Sequence, residues 1–405
     1  MLNSIDLFAG CGGLTEGFKI SNKFKVLAGV EWEFKPTDTL RKRLIDKWGY
    51  DPKFIEDTVL HFDIQRTEEL LYGYDNDPVY GTSKGLNEIV GSRKVDVIIG
   101  GPPCQAYSVA GRIRDGNGMK DDYRNYLFEA YMRVVSHFKP TACIFENVPG
   151  MLSAAPGGEP IIKRITEAFE AAGYEISGDL KGQATLLASD FGVPQKRKRV
   201  IIAAFRKDSF KCAKASVRTF YTELDKLKDA TVPTVGSSLL DLPSLHPLKE
   251  PTKRQSHQIA INYEYSDHTP RFHNNRDIEI FKLLAEDIES GTDKYTSSEA
   301  LKDLYTEKTG KSSSVHKYYV LRKDLPSNTI PAHLYKDGLR HIHPDSAQAR
   351  SITVREAARL QSFPDDFEFL GSMGDKYKMI GNAVPPEFAN RIATALAETL
   401  KQLTL

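Results

Sequence analysis

Along the first 205 residues, short apolar runs alternate with longer stretches whose apolar side chains recur every three or four positions. The first pattern fits buried strands and the second amphipathic helices, so this part of the chain reads as a wound α/β sheet. Predicted strands cover 5–8, 25–30, 95–99, 141–145 and 199–205. Predicted helices cover 14–19, 122–138 and 160–172; Leu127, Tyr131, Val134 and Phe138 share one face of the second. From about 206 to 349 the rhythm dissolves into Pro, Ser, Thr and charged residues with aromatic pieces such as Asn262-Tyr263-Glu264-Tyr265. One helix is predicted there, over 276–288. Regularity returns with Thr353-Val354-Arg355-Glu356, a capping-box pattern ahead of Ala357 to Leu360. A last helix opens after Pro385-Pro386 and carries Phe388, Ile392, Leu396 and Leu400 as one stripe. The expected organisation is a doubly wound, mostly parallel α/β domain over 1–205 and a smaller irregular domain over 206–349. A segment over 350–405 then returns to complete the first.

A chain of 405 residues exceeds the usual single core, in keeping with two domains. Lys and Arg number 55 against 54 Asp and Glu, so the net charge of +1 neither demands nor excludes a nucleic-acid partner, and any basic surface must be local. The four cysteines, Cys11, Cys104, Cys143 and Cys212, form no CxxC pair, which argues against a zinc site of common spacing. Eight of the ten histidines fall in 206–349; His341-Ile342-His343 has no Cys or carboxylate cluster beside it, so no metal is expected. The amino terminus shows no basic region followed by an apolar core, and no apolar run approaches the roughly 20 residues of a membrane span. A cytoplasmic protein with no membrane partner is expected.

Chemistry collects at the ends of the predicted strands. Val95 to Ile99 runs into Gly100-Gly101-Pro102-Pro103-Cys104-Gln105, where two prolines stiffen the backbone that displays a cysteine at the open edge of a sheet. Cys104 is there either a nucleophile or an inert, half-buried thiol. Phe8-Ala9-Gly10-Cys11-Gly12-Gly13 is a strand-to-helix turn with three glycines, and Glu31 at the next strand tip suits the two hydroxyls of a ribose. The spacing lacks the G-x-G-x-x-G of dinucleotide folds, so a nucleoside without pyrophosphate fits better than NAD. Asp63, in His61-Phe62-Asp63-Ile64, is either an adenine contact or a surface carboxylate. Glu146, in Glu146-Asn147-Val148, is either a partly desolvated proton carrier or a capping, salt-bridging side chain. In Gln195-Lys196-Arg197-Lys198-Arg199, strand alternation sends Arg197 and Arg199 to one side and Lys196 and Lys198 to the other.

Together these blocks resemble a family, the S-adenosylmethionine-dependent DNA cytosine-5 methyltransferases of the bacterial restriction-modification type. The resemblance rests on residues 6–13, 101–105, 146–148 and 195–199, and on Arg355 to Gln361 and Gly381-Asn382-Ala383-Val384-Pro385-Pro386. The six blocks stand in the family's order and leave only the middle domain unmatched. Ala106 and Tyr107 depart from the Gly and Phe frequent after the Cys-Gln pair.

The resemblance implies a class I, Rossmann-like methyltransferase fold and a catalytic set of Cys104, Glu146, Arg197 and Arg199. Cys104 would add to carbon 6 of cytosine, Glu146 would hold a proton at ring nitrogen 3, and Arg199, with Arg197 behind it, would hydrogen-bond the ring oxygen. S-adenosyl-L-methionine would lie on Phe8, Gly10, Gly12, Glu31, Asp63, Ile64 and Pro103, with Asn382 and Val384 returning from the far end of the chain. The base would be flipped out of duplex DNA, met by Gln105, Ser108 and Arg112, with 108–125 as a lid or an ordinary surface loop and 206–349 as the sequence reader. A monomer on DNA near the nucleoid, with a cognate restriction endonuclease as partner, completes the expectation. The rivals are a tRNA cytosine-5 methyltransferase of the same fold, a catalytically silent DNA-binding homologue and, least favoured, a nicotinamide oxidoreductase.

Overall fold

The computed structural model describes residues 1–103, 127–260, 265–336 and 338–403. Among these, ten strands appear: β1 (Leu2–Leu7), β2 (Phe24–Glu31), β3 (Val59–His61), β4 (Tyr74–Asp77), β5 (Gly81–Ser83), β6 (Val97–Gly100), β7 (Ala142–Asn147), β8 (Tyr174–Glu175), β9 (Thr185–Leu187) and β10 (Lys198–Arg206). Eight of them form one sheet in the order β3-β2-β1-β6-β7-β10-β8, with β9 also on β10; β4 and β5 make a separate hairpin. The strands from β3 across to β7 are parallel, while β10 runs antiparallel to β7, β8 and β9. The wound, mostly parallel α/β class read from the sequence is therefore the one observed.

The central strands are buried on both faces, as a parallel sheet covered by helices requires. Val97, Ile98 and Ile99 of β6 and Val200 to Phe205 of β10 have no exposed surface. Tyr131, on the helix Leu127–Phe138, donates its hydroxyl to the Ile98 and Ile144 carbonyls at 3.1 and 3.3 Å, tying that helix to β6 and β7. The apolar face predicted on Ile161, Ile165 and Phe169 is the buried face of the helix Ile161–Ala171. The helix Phe34–Asp46 carried no such signal. Its buried residues are mainly Thr37, Thr39, Leu40 and Arg43, so its inner face is half polar.

The described chain divides into two compact units, one of 1–192, 198–230 and 383–405, the other of 193–197 and 231–382. These bounds differ from the expected breaks at 205/206 and 349/350. Beyond β10 the helix Ala213–Asp225 stays with the first unit, because the Tyr221 hydroxyl donates to the Ile201 carbonyl at 2.8 Å and Phe220 packs on Phe205. At the other end, 350–382 belongs to the second unit: Arg350 grips Glu356 through two hydrogen bonds of 2.7 Å, and the Tyr377 hydroxyl donates to the Ile352 carbonyl at 2.7 Å. Composition marks where a chain becomes irregular; it does not say which side a helix packs on. No helix among the described residues is long and apolar enough to cross a membrane.

The second unit buries histidines in a neutral state. Burial pushes His273 and His341 down to about 3 and His343 to about 4. Unfolding would let each take up a proton near its ordinary value of about 6.5, so their contribution is present above that pH and lost as pH falls below it. Each pH unit below the window's top costs about 1.4 kcal/mol per histidine. His273 packs its ring on Phe281 of the helix Asn275–Glu289 at 5.1 Å. Hydrogen-exchange protection factors of that helix should therefore fall steadily between pH 6.5 and 4; a flat profile would contradict this account of the second core.

Candidate active site

The site lies in the first unit, where β1 marks the reversal of strand order. From β1 the chain steps outward to β2 and β3 on one side and later returns to β6 and β7 on the other, so the loops leaving β1 and β6 diverge and open a crevice. After β1 the backbone takes left-handed conformations at Phe8, Gly10 and Gly12, with φ of 61°, 56° and 94°. Such a conformation suits Gly and is uncommon for Phe. Among the described residues a Cβ on Gly10 would meet no atom within 4 Å, which leaves this face of the turn open there. The turn hands over to the helix Gly13–Ile20, whose N-cap, Gly12, brings no side-chain cap to the orphan N–H groups. Gly13 is pressed against the Val384 carbonyl, which places Val384 at the turn.

Glu31 ends β2 and reaches back over this turn. Its carboxylate accepts from the Gly10 N–H at 2.9 Å and the Glu33 N–H at 2.8 Å. Burial pushes its carboxyl up to about 7, and the two backbone donors oppose that rise. Asp6 lies deeper, accepts the Thr15 hydroxyl at 2.6 Å, and is likewise raised to about 7 chiefly by burial. Asp63 is half-buried and accepts from the Gln65 N–H at 3.0 Å; Ile64 beside it is buried. Trp32 and Phe34, two aromatics within three residues of this strand-tip carboxylate and outside the expected site, stand 48% and 51% exposed.

The second half of the site is built by β6, β7 and β10. Gly101 follows β6, and a Cβ there would lie 2.6 Å from Glu146 Oε2, so a larger residue would have to push the carboxylate aside. The Asn147 side-chain amide donates to the Pro102 carbonyl at 3.3 Å. The tip of β7 thus grips the segment leading through half-buried Pro103 to Cys104. Because β10 is antiparallel, its first residues meet the carboxyl end of β7, with Val200 opposite Asn147 and Ile201 opposite Glu146. Arg199 Nε then pairs with Glu146 Oε1 at 2.7 Å, each side chain only 12% exposed. Removing one member of so sheltered a pair leaves an uncompensated charge, at a cost of about 3–5 kcal/mol.

Glu146 and Arg199, expected to work together, are in contact. Arg197 lies in the second unit, buried, donating to the Ile330 and Gly381 carbonyls at 3.0 and 2.9 Å. Lys196 and Lys198 are exposed, as alternation requires. Asn382 is an exposed residue ending the helix Met373–Asn382 of the second unit. Cys104, Gln105, Ser108 and Arg112, with the expected lid, lie outside the described residues.

The family described as C-5 cytosine-specific DNA methylase matches residues 2–398. The chain belongs to that family. This methylase is 34% identical to the type II methyltransferase M.Bpa9945I of Bacillus paralicheniformis, over 98% of each chain. It is 32% identical to the type II methyltransferase M1.HphI of Haemophilus parahaemolyticus, over 98% of its own length and 86% of the other. Among solved structures it resembles the S. pombe Dnmt2 methyltransferase with a TM-score of 0.58 at 15% identity, each chain covered to 99%, a likeness of fold. The activity of this methylase is methyl transfer to carbon 5 of cytosine in DNA.

The Gly101 contact gives a direct test of the second half-site. Gly101→Ala should displace the Glu146 carboxylate and lower turnover by at least about tenfold, equivalent to about 1.4 kcal/mol in the barrier, with the cofactor KM unchanged. Steady-state methyl transfer measures both; a variant with wild-type turnover would show that the close approach does not matter.

Proposed function

We propose that this methylase transfers a methyl group from S-adenosyl-L-methionine to carbon 5 of a cytosine flipped out of a specific duplex sequence, through a covalent bond to Cys104. The observation that carries the reading is the Glu146–Arg199 pair packed against Gly101, three residues ahead of Cys104.

The residues around the glycine turn fit the cofactor. Gly10 leaves open space among the described residues, Glu31 is a carboxylate at the tip of β2 suited to ribose hydroxyls, and Asp63 and Ile64 offer a polar and an apolar partner to a purine. Phe8, Gly12, Pro103, Val384 and Asn382 complete the proposed holding set. When bound, the cofactor supplies an electrophilic methyl group. Cytosine carbon 5 is a weak nucleophile, so the protein must activate the ring. The Cys104 thiolate adds to carbon 6 and drives electron density toward carbon 5. Glu146 holds a proton at ring nitrogen 3 and Arg199 donates to the ring oxygen, so charge that develops on the ring meets groups already fixed in place. Once carbon 5 carries the methyl, its proton passes to water, the electron pair re-forms the carbon 5–carbon 6 double bond, and the carbon 6–sulfur bond breaks to release Cys104 as thiolate. Arg197, whose guanidinium is spent on backbone carbonyls, acts here as a positioning residue for the run that delivers Arg199.

A duplex base cannot reach such a crevice unless it leaves the stack, with Gln105, Ser108 and Arg112 meeting the DNA. The segment 206–349 reads the sequence, and the names of the type II relatives support a role as the modification partner of a restriction endonuclease. A monomer acting on cytoplasmic, nucleoid DNA is the simplest form of this proposal.

Labelled methyl from S-adenosylmethionine should enter duplex DNA and not tRNA, and Cys104→Ser should abolish the transfer. Preferential label in tRNA would replace the substrate, and substantial turnover by Cys104→Ser would remove the covalent step.

A further inference from the structure

Between β3 and β6 the chain spends thirty-five residues, 62–96, and part of that length builds the β4–β5 hairpin. The hairpin's strands are polar and its pairs few, and it meets the main core through Tyr74, which stacks on Phe62 at 4.2 Å. Its placement of Tyr80 is nevertheless strict. Asp77 Oδ1 accepts from the Val79 and Tyr80 N–H groups, both at 2.9 Å, and Asp77 Oδ2 takes the Arg66 guanidinium at 2.7 Å. Three bonds to one carboxylate thus fix the backbone that carries the ring.

That ring packs against the end of β3. Tyr80 meets Phe62 edge-on at 4.9 Å and His61 edge-on at 5.1 Å, the two residues directly before Asp63. His61 in turn approaches the Phe34 ring at 5.5 Å and hydrogen-bonds the Trp32 carbonyl at 3.0 Å. Burial pushes the Tyr80 phenol up, and the charge of Asp63 adds to that rise. Yet Tyr80 is only half-buried, and Trp32 and Phe34 are about half exposed. A rigid, partly uncovered aromatic wall beside a carboxylate is what a purine needs: apolar faces for its rings and an acceptor for its exocyclic amine.

We propose that Tyr80 is a specificity-determining residue of this methylase, closing the pocket behind the adenine amino group that Asp63 receives. The inference rests on the cofactor reading above. It makes the hairpin a gauge of purine size: the phenol ring occupies the space into which a substituent on the amine would project.

Calorimetry with S-adenosylhomocysteine and its N6-benzyl derivative tests this. Wild type should bind the first and reject the second. Tyr80→Ala should lose roughly tenfold on S-adenosylhomocysteine, the scale of one aromatic contact, and gain binding of the benzyl compound; Tyr80→Phe should keep wild-type behaviour for both. A folded Tyr80→Ala protein with unchanged discrimination would overturn the proposal. Should that variant not fold, fluorotyrosine-labelled wild type decides: the Tyr80 resonance, assigned by its loss in Tyr80→Phe, should shift on adding S-adenosylhomocysteine, and an unmoved resonance overturns it. Glu31→Gln separates the two levels. If it weakens S-adenosylhomocysteine while the Tyr80 variants do not, only the wall is wrong; if it binds like wild type, the cofactor reading itself falls.

Discussion

Everything in the first unit hangs on β1 being paired along both edges. Leu7 lies opposite Val30 of β2 and Gly100 of β6, so one strand holds the two loops that the site requires. The chain leaves β1 toward β2 and only later arrives at β6, so the loops that follow β1 and β6 turn to opposite sides. The crevice follows from winding, not from side-chain choice. Side chains then decide what the crevice does: an open glycine turn with Glu31 on one flank, and Gly101, Glu146 and Arg199 on the other.

The direction of β10 is the second constraint. In a parallel strand the residues at the carboxyl edge are the last ones; in β10 they are the first, Lys198 and Arg199. Reversal therefore converts a basic run before a strand into a cation at the tip of β7. The pair that results sits in partial shelter from water, where charges interact more strongly and the penalty for leaving either alone is larger. Such an arrangement is stable with both members present and keeps a carboxylate and a guanidinium side by side at the strand edge.

Much of this was legible in the sequence because apolar runs ending in glycine or a carboxylate mark strand tips, and the tips are where the site lies. Glu31 and Glu146 read that way as strand-tip carboxylates, and they stand at the ends of β2 and β7; Arg199 stood out only within a basic run ahead of a strand. The strand direction of β10 was not legible, since an apolar run such as Val200 to Phe205 reads the same both ways. The β4–β5 hairpin escaped because Tyr74 to Asp77 and Gly81 to Ser83 show no apolar alternation; hydrogen bonds to Asp77 hold it in shape. The helix Phe34–Asp46 escaped because its buried face includes Thr37, Thr39 and Arg43, the last paired with Glu16 at 2.5 Å. The unit boundaries were displaced because Tyr221 and Tyr377 anchor their helices through single hydroxyl bonds that composition does not reveal.

The central claim is that this edge serves a covalent attack by Cys104. A duplex pool carrying 5-fluorocytosine tests it most directly, because fluorine at carbon 5 cannot leave as a proton and the enzyme–base bond persists. With S-adenosylmethionine present, mass spectrometry should find the adduct on the peptide containing Cys104. A protein that methylates ordinary DNA yet forms no adduct, or forms it on another residue, would contradict the account.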